Sequence, residues 1–181
     1  VIDERGPHNI SLMNIMNCDF TIHDFGLKEK NNANFDLNKI RQNFHDIFLQ
    51  VWKLQSESDG FNALVVHAHL NSRSIAVIRA YSKFLRQIGV TFSQAYMEQT
   101  LAANPKITTA LVDLFFALFD PKNDPSNNNR AKFLKGLIKR LMTVVINADE
   151  DRILRKFLNL IDSTTRTNFF QTLPNGDYKT Y

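Results

Sequence analysis

The chain has 181 residues, a 44% hydrophobic content, a net charge of +4 and one cysteine. That is enough for one packed domain, or one plus a fragment, and it excludes an internal disulfide. No stretch reaches the roughly 18 apolar residues a membrane helix needs, and a pI of about 9.2 permits nucleic-acid binding without giving a strong electrostatic footprint.

The lone Cys18 fits a cytoplasmic protein. The opening "VIDERGPHNI" lacks the apolar core of a signal peptide, has no initiator Met and begins in mid-pattern. The chain is therefore expected to be an excised piece of a longer protein.

The first segments are β-compatible. "VIDERG" is one; in "CDFTIHDFGL", Phe20, Ile22 and Asp24 alternate with Asp19, Thr21 and His23, the period of a strand. Such strands are too few for a sheet of their own and are expected to complete one whose other strands lie upstream. The polar run from Lys28 to Asn34 reads as a linker.

From Phe35 the pattern is helical, with Leu37, Ile40, Phe44, Ile47, Phe48 and Val51 in register and Asp36 as N-cap. A second helix is predicted over about Asp59 to Leu70. The third, from about Asn71 to Ile88, is capped by Asn71, stopped by Gly89, and has Val77, Tyr81, Phe84 and Ile88 as its apolar face. A fourth starts near Ser93 and ends before Pro105, which opens a fifth carrying "ITTALVDLFFALF". "DPKNDP" breaks the chain. A sixth helix covers about Arg130 to Ile146, and a seventh runs from Asp149 to about Phe170. The fold class is thus mainly α: a bundle of about seven helices preceded by one or two short strands. The expected organisation is a strand-containing remnant and linker over 1–34, a helical domain over 35–171 and a flexible tail over 172–181.

Little in the chain carries chemistry. The six glycines form neither a dinucleotide fingerprint nor a phosphate loop. On a helix His67 and His69 point roughly 200° apart and cannot share a metal unless the helix breaks. Cys18 and His23 make half a metal site. No nucleophile elbow is present. Asp149, Glu150 and Asp151 stand where a helix begins and are explained by its dipole. No catalytic, cofactor-binding or metal-binding residue is assigned.

Two basic rows remain. Arg79, Lys83 and Arg86 share a face by their spacing, as do Lys132, Lys135 and Lys139, with Arg140 beside them. Solvation, an interdomain contact and nucleic acid are the three readings; the lack of interleaved aromatics argues against single-strand binding. Both rows are expected to be interdomain contacts.

Five stretches, in order, resemble one family: "IHDFGL" (Ile22 to Leu27), "ESDGFNALV" (Glu57 to Val65), "IRAYSKFLRQIGVTFSQAYMEQTL" (Ile78 to Leu101), "LFFALFDP" (Leu114 to Pro121) and "DEDRILRKFLNLIDSTTRTNFFQ" (Asp149 to Gln171). The chain resembles the large bacterial NAD-specific glutamate dehydrogenases, in the helical segment between their N-terminal ACT-like regulatory domains and their catalytic domain. Members often carry a Trp and a Glu around the arginine of "NSRS", where this chain has Ser72 and Ser74. The resemblance implies a parent enzyme that converts L-glutamate, NAD and water to 2-oxoglutarate, ammonia and NADH. It implies no cofactor in this segment, since no Gly-Gly-Lys or Lys-Gly-Gly run is present, and places the catalytic residues downstream. It also implies that the opening strands are the last piece of an ACT-like α/β domain. The expected role is architectural: packing regulatory domains against the catalytic core, or joining subunits of a homo-oligomer, with neither nucleic acid nor membrane as partner. The alternative is an independent basic helical module that binds nucleic acid or an acidic protein.

Overall fold

A computed structural model describes residues 2–11, 19–27, 36–123, 128–174 and 176. The linker expected over Lys28 to Asn34, Cys18, Phe35, most of the expected tail and part of the "DPKNDPSNNN" loop lie outside them. The chain divides into two compact units, Val1–Asp36 and Leu37–Tyr181.

In the first unit β1 (Ile2–Ser11) pairs antiparallel with β2 (Asp19–Leu27). Ile2 faces Leu27 and Ser11 faces Asp19, with a shift in register between Glu4 and Pro7. Pro7 has no N–H for the ladder, so a bulge beside it costs the ribbon little. The strands therefore pair with each other in a two-stranded sheet. Seven residues separate them, short enough for antiparallel pairing.

The second unit holds seven α-helices among the described residues: α1 (Leu37–Trp52), α2 (Leu64–His67), α3 (Ser72–Gln87), α4 (Gln94–Ala103), α5 (Pro105–Phe119), α6 (Asn129–Met142) and α7 (Ala148–Ser163). Local chemistry sets most boundaries. The Asn71 side chain accepts from the Ser74 amide and Ser93 from that of Tyr96, each satisfying an orphan donor. Pro105 occupies the first turn of α5, and Gly89, with φ of 80°, follows α3.

Three predicted helices are shorter than their periodicity suggested. The stretch from Asp59 to Leu70 is a 3-10 turn, Gly60–Ala63, followed by the single turn of α2. His69 takes φ of 53° and the Leu70 amide reaches back to the Leu64 carbonyl at 3.2 Å. This is a left-handed helix stop made without glycine. α6 ends at Met142 because Thr143, Val144, Val145 and Ile146 are β-branched, and the Thr143 hydroxyl donates to the Arg140 carbonyl at 2.8 Å. α7 ends at Ser163, where the hydroxyl-rich "STTRT" offers the backbone competing partners; Thr164 Oγ1 donates to the Leu160 carbonyl at 2.7 Å.

One core fills the helical unit. Ile75 and Ile78 of α3, Met97 and Leu101 of α4, Leu111 and Leu114 of α5, Ile138 of α6 and Leu154, Phe157 and Ile161 of α7 are all within one buried cluster. Past α7 the chain folds back and lays Phe169 and Phe170 on Phe115 and Phe116 of α5, with centroids 5.3 to 6.2 Å apart. Such contacts add to simple area burial. Tyr81 closes the cluster, edge-on to Phe115 and hydrogen-bonded to Thr164 at 2.8 Å. Burial pushes the Tyr81 phenol above its ordinary value of 10.0, against the lowering effect of Thr164. Among the described residues, no single helix is long and apolar enough to cross a membrane.

Candidate functional site: a sealed arginine cluster

The segment before α2 is polar, and α3 needs it. Asp59 caps the 3-10 turn by accepting from the Phe61 amide at 3.2 Å. Its carboxylate also takes two bonds from Arg79, from Nε at 2.6 Å and from Nη2 at 2.9 Å. Arg79 Nη2 donates further to Asn62 Oδ1 at 2.9 Å, and Nη1 to Ser56 Oγ at 3.5 Å. The side chains of Arg79 and Asp59 are only 8% and 9% exposed. This is a two-pronged arginine–carboxylate pair shut away from water, where planar fork geometry matters most.

The rest of the row continues the seam. Lys83, which is exposed, pairs with Glu57. Arg86 Nη1 donates to Gln94 Oε1 at 3.0 Å, and Gln94 Nε2 to Glu98 Oε1 at 2.9 Å. Glu98 in turn covers Gly60: a Cβ there would stand 2.8 Å from Glu98 Cδ and 3.2 Å from its Cβ. A side chain at Gly60 would have to turn the end of Glu98 aside. The three cations therefore fasten the 56–62 segment and α4 to α3. Arg79 is no part of a solvated face; it is buried, whereas Phe84 and Ile88, expected on the apolar face, are 46% and 56% exposed.

The second row is divided. Lys135 pairs with Asp162 of α7, while Lys132 and Lys139 are exposed. Asp149, Glu150 and Asp151 occupy the first turn of α7 as expected, with Asn147 as the cap that the sequence reading passed over. The helix does break after His67, yet among the described residues no three His, Cys, Asp or Glu side chains are grouped to hold a metal. A groove of about 210 Å³, lined by Leu85, Ile88, Lys156, Asn159, Leu160 and Ser163, is smaller than most ligand pockets. The arrangement is a latch: it offers a buried ion pair and no nucleophile held beside a base.

Two family models match the chain. Residues 56–121 match glutamate dehydrogenase helical motif 3, and residues 137–181 match the catalytic domain of bacterial NAD-glutamate dehydrogenase. The chain belongs to the bacterial NAD-specific glutamate dehydrogenase family. Relatives named NAD-specific glutamate dehydrogenase include one from Halomonas elongata, 34% identical over 100% of this chain, and one from Mycobacterium tuberculosis, 39% identical over 71%. A third, from Pseudomonas aeruginosa, is 34% identical over 90%. The chain spans 11%, 8% and 10% of those relatives' own lengths. No solved structure matches. The arginine cluster lies wholly within the helical-motif match. The catalytic-domain match starts inside α6 and takes in α7 and the Phe169–Phe170 strap, so it begins within the helical unit rather than downstream of it.

Proposed function

We propose that this chain is a non-catalytic helical segment of an NAD-dependent glutamate dehydrogenase, and that it joins helical motif 3 to the opening of the catalytic domain. The observation that carries this reading is the shared core. Phe115 of α5, within the motif, packs on Phe169 and Phe170, within the catalytic-domain match. Arg73 of α3 adds a second tie: Nη2 donates to the Phe169 carbonyl at 2.7 Å, and its guanidinium lies 4.3 Å over the Phe169 ring. A catalytic domain entered through this packed seam starts from a fixed direction, which is what positioning of a distant active site requires. The latch of Asp59 and Arg79 holds the motif side of the seam rigid.

In this reading the parent enzyme oxidises L-glutamate to 2-oxoglutarate and ammonia while NAD takes the hydride. Its catalytic and NAD-binding residues lie outside this chain, its other domains are the chain's partners, and it works as a homo-oligomer in the cytoplasm. The test is glutamate-dependent NAD reduction by the full-length product of the source gene, beside the 181-residue chain. Turnover by the long product alone is expected. Turnover by the short chain would refute a non-catalytic segment, and turnover by neither would refute the dehydrogenase reading.

A further inference from the structure

α6 buries Ala131, Leu134, Ile138 and Met142. Its opposite face, at steps of three and four residues, presents Lys132, Phe133, Gly136, Lys139, Arg140 and Thr143, all exposed. Phe133 is 66% exposed, and Val144 and Ile146 follow it into solvent. The helix contains no acidic residue. Lys132, Lys139 and Arg140 make no ion pair with a described residue; Lys135, at the flank, is the lysine of α6 that reaches an acid, Asp162.

Gly136 stands at the centre of this face. A Cβ there would meet nothing within 4 Å, so neither packing nor backbone angle inside the chain calls for glycine. Glycine in a helix interior is costly unless another backbone comes close to it. Lys132 and Lys139 bracket it on one side, Phe133 and Arg140 on the other. The face has the form of a shallow saddle, apolar at one wall and cationic at both.

We propose that this face of α6 docks an acidic α-helix from a part of the parent polypeptide outside residues 1–181. The missing Cβ at Gly136 admits a crossing helix at short distance. Phe133 meets that helix's apolar stripe, and Lys132, Lys139 and Arg140 pair with its carboxylates. Charge complementarity sets the sign of the partner. Its place in the same polypeptide follows from relatives about ten times as long as the matched span. The inference rests on the proposed function, of which it names one interdomain partner.

The experiment treats the full-length gene product, first assayed for glutamate-dependent NAD reduction, with a zero-length carbodiimide. This reagent joins a lysine amine to a carboxylate in direct contact. The Lys135–Asp162 pair is the internal control. The expected result is a link from Lys132 or Lys139 to Asp or Glu residues outside residues 1–181, within one polypeptide. Gly136→Leu should lower those links at least about tenfold, a loss of roughly 1.4 kcal/mol in contact, and leave the control intact. In the 181-residue chain Gly136→Ala should raise Tm by roughly 2–4 °C, since nothing there opposes the added methyl. An active enzyme that gives the control link but none from Lys132 or Lys139 overturns the docking alone. Links between isotopically distinct copies overturn it in favour of a subunit contact. An inactive product overturns the reading on which it rests.

Discussion

Replacing Arg79 by Met should destabilise the 181-residue chain far more than any surface charge change. Arg79 gives Asp59 two bonds, of 2.6 and 2.9 Å, and Asn62 a third of 2.9 Å, with both charged side chains under a tenth exposed. Methionine can fill much of the stem's volume but leaves the Asp59 carboxylate buried without a counter-charge. Breaking a buried pair in this way costs about 3–5 kcal/mol. For a chain of this size each kcal/mol moves Tm by about 2–4 °C, so the fall should be roughly 6–20 °C. The assay is thermal and urea unfolding followed by far-ultraviolet circular dichroism. Arg79→Met with Asp59→Asn should recover most of the loss, because the amide can still cap the Phe61 turn and no charge is stranded. The coupling in the double-mutant cycle should be about 2–3 kcal/mol. Lys83→Ala serves as the exposed comparison, expected within about 1 kcal/mol of the parent. An Arg79→Met loss no larger than that of Lys83→Ala, or a cycle with no coupling, would refute the latch.

Three further outcomes follow from the same contacts. Gly60→Ala should cost about 1 kcal/mol by turning the flexible end of Glu98 aside, and Glu98→Ala should relieve most of it; a cost that persists unchanged in the Glu98→Ala background would show that Glu98 is not what the added methyl meets. The Tyr81 phenol keeps its proton to higher pH when folded than when unfolded. Its contribution is therefore complete below about pH 10 and is lost as pH rises through the folded value, so a plot of unfolding free energy from about pH 8 to 11 should fall more steeply for the parent than for Tyr81→Phe. Phe169→Ala should cost about 3–5 kcal/mol in the short chain, because it opens a hole beside Phe115 and Phe116 and removes the ring under the Arg73 guanidinium; a loss under about 1 kcal/mol would detach the strap from the core.

Helix starts were the most readable part of this sequence. Asn71, Ser93 and Pro105 act within one turn, so a local pattern reports them fully. Helix ends were less so. The apolar period runs on through Ala68 to Leu70, and only a left-handed His69, set by the turn onto α3, halts it. The run from Thr164 to Phe170 ends on two adjacent phenylalanines, whose rings are claimed by α5, a tertiary effect no window of α7 can contain. Arg79 was misplaced for a related reason. α3 carries two overlapping stripes, one through Val77, Tyr81, Phe84 and Ile88 and one through Ile75, Ile78, Ser82 and Leu85. The second is the buried one, and Arg79 sits at its edge. A signal was present: an acid, an amide and a serine in "SESDGFN" are the ligands a buried arginine requires. Sequence could not tell that they fold onto it from twenty residues away.

The central claim is that the helical motif and the start of the catalytic-domain match fold as one unit. Native-state hydrogen exchange on the 181-residue chain, followed amide by amide across α3, α5 and α7, tests it most directly. The shared core predicts that the slowest amides of all three helices open with one free energy and one dependence on urea. Separate openings, with α7 exchanging at low urea while α3 and α5 stay protected, would contradict it.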